Sequence, residues 1–102
     1  MKKFDGNIVV FDLRETYHEL CEYSFKIVLN PKLFKNCHDV DVKILDANND
    51  LMEVDVRRWG RKVNCTFVLN ETIPDGVCVV RLRAAADSGK NVVEKFSFWV
   101  IK

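Results

Sequence analysis

Residues 73–102 limit what this chain can fold into more than any other stretch. Ile73-Pro74-Asp75-Gly76 opens the run Val77-Cys78-Val79-Val80-Arg81-Leu82-Arg83-Ala84, Ser88-Gly89-Lys90-Asn91 turns it, and Val92 to Ile101 bring it back. Proline fixes φ for a turn, glycine supplies the positive φ that closes one, and β-branched and aromatic residues alternate with polar ones on either side. This is a β-hairpin. Cys78, Val80 and Leu82 form the inward face of its first strand, and Phe96, Phe98 and Val100 that of its second.

The same period of two recurs upstream. A first strand is predicted over 7–13, with Val9, Phe11 and Leu13 on one face. A second over 22–29 turns Tyr23, Phe25, Ile27 and Leu29 inward and ends at Asn30-Pro31. A third over 39–46 has Val40, Val42 and Ile44 inward. A fourth over 51–59 and a fifth over 62–69 flank Gly60-Arg61. With glycine first in a two-residue turn, Trp59 faces Lys62, and Val56, Val54 and Met52 face Cys65, Phe67 and Leu69. Turn chemistry and hydrophobic phase agree, and a one-residue slip would break that agreement. The sixth and seventh strands, over 77–84 and 92–101, complete an all-β immunoglobulin-like sandwich of about seven antiparallel strands. One helical turn is predicted over 31–36.

A chain of 102 residues is read as a single domain over 1–102, able to bury roughly 60 to 70% of its unfolded surface around one core. The 16 Lys+Arg nearly cancel the 15 Asp+Glu, leaving +1. That gives no general attraction to nucleic acid or anionic membrane, so a partner must use a local patch. The apolar run 8–11 is too short for a signal-peptide core, and nothing approaches a membrane span. The expectation is a protein made in the cytoplasm without a signal peptide.

The residues 74–84, followed by Asp87-Ser88-Gly89-Lys90-Asn91, resemble the final hairpin of the bacterial and bacteriophage immunoglobulin-like domains. That hairpin carries a Pro-Asp-Gly turn, an Ala-x-Asp segment and a Gly-Asn turn. Here Cys78 stands where tyrosine is usual, and Lys90 separates Gly89 from Asn91. The resemblance covers about a third of the chain and implies adhesion, spacing or decoration of a larger assembly, without an enzymatic activity or a cofactor.

Cys21, Cys37, Cys65 and Cys78 admit two readings. Cys21 and Cys78 start strands that run the same way in facing sheets, so a bridge across the core is open to them. Against it stand the missing tryptophan on the third strand and the absence of a secretory signal. The other reading, buried free thiols at Cys65 and Cys78, is the expected one. No Cys-x-x-Cys pair points to zinc. Asp46-Ala47-Asn48-Asn49-Asp50 copies the start of a calcium loop, but Leu51 occupies the glycine position and Arg57 that of the bidentate glutamate, so a turn is expected. Asn64-Cys65-Thr66 and Asn70-Glu71-Thr72 fit the glycosylation pattern by chance. Cys37-His38, adjacent on an extended chain, point opposite ways and make no nucleophile and base.

Two surface features remain as candidate protein-interface residues. Arg57, Trp59, Arg61 and Lys62, with Arg58, crowd a hairpin tip and join positive charge to an aromatic plane. Trp99 and Ile101 on the last strand and Val77 and Val79 on the sixth make an apolar patch that the N-terminal segment or a partner should cover. The function expected is a structural and interaction module, specifically a bacteriophage virion accessory or capsid-decoration protein, with a capsid or other virion protein as partner. The alternative is an adhesive module excised from a bacterial or eukaryotic cell-surface protein. An enzyme or nucleic-acid binder has only the basic hairpin in its favour.

Overall fold

The computed structural model describes residues 6–36 and 39–102. Nine strands are found among them: β1 (Ile8–Phe11), β2 (Thr16–Tyr17), β3 (Glu22–Leu29), β4 (Val40–Leu45), β5 (Leu51–Met52), β6 (Asp55–Trp59), β7 (Lys62–Val68), β8 (Gly76–Ala85) and β9 (Asn91–Val100). One sheet has the order β1-β3-β7-β6 and the other β2-β9-β8-β4-β5. Alternation drives the packing. Tyr23, Phe25, Ile27 and Leu29 of the first sheet meet Cys78, Val80, Leu82, Phe98 and Val100 of the second in one apolar core. Tyr17, Tyr23, Phe67 and Phe98 form its aromatic end, with Tyr17 rings 4.5 Å from Tyr23, 5.3 Å from Phe67 and 5.1 Å from Phe98.

Four expectations need correction. The predicted fourth strand is two: Leu51 and Met52 pair with β4 in the second sheet, whereas β6 pairs with β7 in the first. Glu53 and Val54 carry the chain across. Trp59 does face Lys62, and Val56 faces Cys65, but Met52 sits opposite Ile44 and not Leu69, and Val54 is unpaired with Phe67. Periodicity is blind to such a step. Facing sheets share one core, so Met52, Val54 and Val56 all point inward although the chain changes sheet between them.

The first strand is also out of phase. Ile8 and Val10 pack on the core, opposite Leu29 and Ile27, while Val9 and Phe11 lie on the outer face. Asp12, at φ 62°, then resets the alternation so that Leu13 turns inward as predicted. The chain crosses to the second sheet, where β2 runs parallel to β9, with Thr16 beside Trp99 and Tyr17 beside Val100. A two-residue strand leaves no periodic trace, and β2 together with the division of the predicted fourth strand accounts for nine strands against the expected seven. Finally, the helical turn expected over 31–36 is confined to its start: Leu33 and Phe34 N–H groups both donate to the Asn30 carbonyl in a single turn that no helix continues, and Phe34 is buried.

The Pro-Asp-Gly turn has a steric cause. Gly76 adopts φ 135°, and a Cβ there would lie 2.7 Å from the Ala47 Cβ in the β4–β5 turn. Glycine lets the start of β8 pass beneath that turn. Asp46 organises the turn itself, its Oδ1 accepting from the Asn48 N–H at 2.8 Å and the Asp50 N–H at 3.0 Å.

Candidate interaction surfaces

The outer face of the second sheet assembles most of the predicted patch. Register places Trp99 opposite Val77 and next to Thr16, and one step along it places Val79 between Ser97 and Leu45, with Leu51 beyond. Trp99 and Ile101 are half exposed and Leu51 is 66% exposed. Leu45 and Leu51 extend the patch across two further strands. Neither is predicted from the sequence, because a face is joined across strands and only pairing shows which rows align. The next row is cationic: Lys43, Arg81 and Lys95 lie side by side on β4, β8 and β9. An apolar row thus borders a basic one.

β2 guards the edge of this face without covering it. Trp99 N–H donates to the Glu15 carbonyl (2.9 Å) and Ile101 N–H to the Tyr17 carbonyl (3.0 Å), extending the parallel ladder past Trp99.

The basic hairpin lies elsewhere. Gly60, at φ 58°, takes the first position of the two-residue turn, and Arg61 stays in the ordinary φ range, as glycine-first chemistry requires. Trp59 is 77% exposed at the tip, and Arg57, Arg61 and Lys62 are exposed around it. This tip belongs to the first sheet and to the end where β3 leaves and β4 begins. Trp99, Val77 and Ile101 lie on the second sheet near the opposite end. The two groups of candidate residues form separate surfaces.

Charge divides between the ends as well. Glu15, Glu19 and Glu22 before and within the start of β3, Asp46, Asp50, Glu53 and Asp55 around β5, and Glu71 and Asp75 ahead of β8 gather at the end away from the Gly60 turn. An open hollow of about 600 Å³ there is lined by Glu22, Asp46, Glu53 and Asp55 together with Leu51, Val68 and Ile73. The net charge of +1 therefore conceals an acidic end and a basic remainder. At the hollow's rim Arg57 Nε donates to Asp55 Oδ2 at 3.1 Å, with both side chains well exposed.

The thiols follow the expected reading. Cys65 and Cys78 are buried and free, and Cys21 is exposed and free, which removes the Cys21–Cys78 bridge. Burial pushes the Cys65 pKa up to about 12, and burial with the nearby Asp46 carboxylate pushes that of Cys78 up to about 11. Near Cys21, the Tyr23 hydroxyl donates to the Glu19 carbonyl at 2.7 Å. Its pKa is raised, first by the hydrogen bond with Cys21 and then by burial. Arg14 lies 5.2 Å from the Tyr23 ring centre. Among the described residues no cluster of three or more His, Cys, Asp or Glu is arranged to hold a metal, and no helix is long and apolar enough to cross a membrane. Cys37-His38 lies outside the described residues. Asn64 lies in mid-strand on β7, and Asn70 Oδ1 accepts from the Thr72 N–H at 2.9 Å in an exposed turn.

No family model and no curated protein matches this chain. Solved structures do. The Lin-41 filamin domain superposes with a TM-score of 0.64 at 11% identity, over 93% of this chain and 92% of that one. The PmoD soluble domain from Methylocystis sp. ATCC 49242 gives 0.66 at 11%, over 92% and 89%. CopC from Methylosinus trichosporium OB3b gives 0.54 at 19%, over 90% and 93%. At such identities the likeness is one of architecture: it reaches the immunoglobulin-like, filamin-like β-sandwich as a class and does not single out the bacterial and bacteriophage branch.

Proposed function

We infer that the chain is a non-enzymatic interaction module that binds a protein partner through the outer face of its second sheet. The observation that carries this is the patch made by two adjacent rows, Trp99–Val77 and Val79–Leu45–Leu51, apolar and in part exposed across four strands, beside the cationic row Lys43–Arg81–Lys95. Such a face suits a protein surface with an apolar centre and an acidic border, since aromatic anchors supply affinity and charge supplies orientation. The narrower reading, a bacteriophage virion accessory whose partner is a capsid or other virion protein, rests on the resemblance of residues 74–91 alone.

A photo-crosslinking residue at position 99 or 79, compared with one at position 64 on the other sheet, tests the reading in the native source. Crosslinks to one protein from 99 and 79 but not from 64 are expected. Equal yield from 64, or none from 99 and 79, would remove this face as the interface. A virion shell protein as the captured partner would support the narrower reading; a cell-surface protein would support the adhesive one.

A further inference from the structure

β6 is the edge of the first sheet, bounded by β7 on one side only. Its sequence context, Glu53-Val54-Asp55-Val56-Arg57-Arg58-Trp59, changes sign about Val56. Charges on an edge strand ordinarily guard it against pairing. Here their order makes the strand complementary to itself in one orientation. In an antiparallel pair with Val56 opposite Val56, Asp55 of each copy faces Arg57 of the other. A shift of two residues either way would centre the pair on Asp55 against Asp55 or on Arg57 against Arg57, and a parallel pair would align both like charges.

The backbone agrees with that register. Trp59 and Lys62 close the two-residue turn as its hydrogen-bonded pair, so, counting alternately, Val56 directs its N–H and C=O away from β7 toward the open edge. Two copies of Val56 can then exchange two N–H···O bonds. The flanking Asp55–Arg57 pairs fall at non-hydrogen-bonded positions, where cross-strand side chains lie nearest each other. The Asp55–Arg57 contact within each copy, exposed on both sides, exchanges one for one for a contact between chains. In the same register Trp59 extends past Asp55 of the second copy, toward the rim of the acidic hollow.

We propose that this chain forms a two-fold homodimer by antiparallel pairing of β6 with β6 of a second copy, joining their first sheets into one continuous sheet. The interface is isologous and closes on itself, so it ends at two copies. It goes beyond the partner-binding reading, since it uses the other sheet and leaves both Trp99 faces open.

Sedimentation velocity over a concentration series tests it with charge exchange. The wild type is expected to shift from monomer to dimer with concentration, less so at high salt, because exposed pairs are screened. D55R and R57D should each raise the dimer dissociation constant by about ten-fold or more, as each replaces two attractive pairs by two repulsive ones. The double variant D55R/R57D should regain dimerisation. Independently of any substitution, exchange of the Val56 amide hydrogen in the wild type should slow as concentration rises. A wild type that stays monomeric throughout, single variants that dimerise normally, a double variant that fails to recover while folded, or Val56 exchange independent of concentration would each overturn the dimer and leave the edge to a strand from another protein.

Discussion

The β8–β9 hairpin and the β6–β7 hairpin are built from the same kind of sequence and serve the molecule differently. In β8–β9, both strands sit within the five-stranded sheet and both turn an inward row to the core, with Cys78, Val80, Leu82 and Ala84 on one and Phe96, Phe98 and Val100 on the other, where Glu94 interrupts the row and accepts from Asn7 Nδ2. In β6–β7 only β7 does so, through Val63, Cys65 and Phe67; β6 contributes the half-buried Val56 and otherwise shows solvent its charges and Trp59. Alternation alone does not tell these apart. Position in the sheet does: a strand with neighbours on both sides is held by burial, whereas an edge strand keeps chemistry free for contact. Stability should therefore reside in β8, β9 and β7, and association in β6 and the outer faces.

The sharpest way to break this contrast is to cut the shared core. Phe67 and Phe98 stack at 5.3 Å and are almost wholly buried. Phe67→Ala or Phe98→Ala should cost about 3 to 5 kcal/mol in urea unfolding. A loss under about 1 kcal/mol would mean that the aromatic end of the core is not packed as described.

The turns that precede the two hairpins' key strands should differ next. Gly76→Ala forces a side chain into φ 135° and against Ala47, with a cost of about 1 to 3 kcal/mol from backbone strain before any overlap is relieved. Gly60→Ala meets nothing within 4 Å and suffers only its positive φ, about 1 to 2 kcal/mol. Thermal unfolding of the two variants should place Gly76→Ala lower. The reverse order would show that the Ala47 contact gives way easily.

How much of this was legible beforehand follows from what each signal encodes. Residues 22–29, 62–68 and 76–100 alternate over long runs bounded by turn residues, and their phase, including Cys65 and Cys78 inward, is fixed by sequence. The step at Glu53-Val54 is invisible because Met52 and Val56 remain inward on either side of it. Thr16-Tyr17 is too short to show a period, though Tyr17 proves to be the centre of the aromatic cluster. Asp12 breaks the phase by a backbone angle that aspartate tolerates better than most residues but does not announce. Of the candidate surfaces, Trp99 and Val77 were legible once β8 and β9 were paired. Leu45, Leu51 and the Lys43–Arg81–Lys95 row required the order β9-β8-β4-β5, and the gathering of carboxylates at one end required the path of every loop.

The buried thiols sharpen the contrast through pH. Cys65 on β7 and Cys78 on β8 keep their protons in the folded state to about 12 and about 11, against about 9 for an unburied thiol. The unfolded chain releases those protons first as pH rises, so stability is intact below about 9 and falls from there toward 11 to 12. Cys65→Ala and Cys78→Ala should each flatten that alkaline loss, whatever they cost at neutral pH. In the native protein Cys21 should react with an alkylating reagent at once, and Cys65 and Cys78 only at the rate of unfolding. Rapid labelling of all three would contradict the burial of β7 and β8.

The smallest effects belong to the two tryptophans, and they separate edge from face. Trp59, at a tip and 77% exposed, has little to lose, so Trp59→Ala should change stability by no more than about 0.5 kcal/mol. Trp99 stands between Val77 and Thr16 in the sheet and is 48% exposed, so removing it should forfeit a cross-strand contact of about 0.2 to 1 kcal/mol. Both variants should stay folded, and each should be weakened in a different association: Trp59→Ala in self-pairing through β6, where its ring would extend past Asp55 of the second copy, and Trp99→Ala in binding a partner on the second sheet. Chemical denaturation alongside sedimentation decides between these roles. If Trp99→Ala unfolds the domain, its ring is packed against its own chain as part of the structure, and the face it occupies supports β9 instead of receiving a partner.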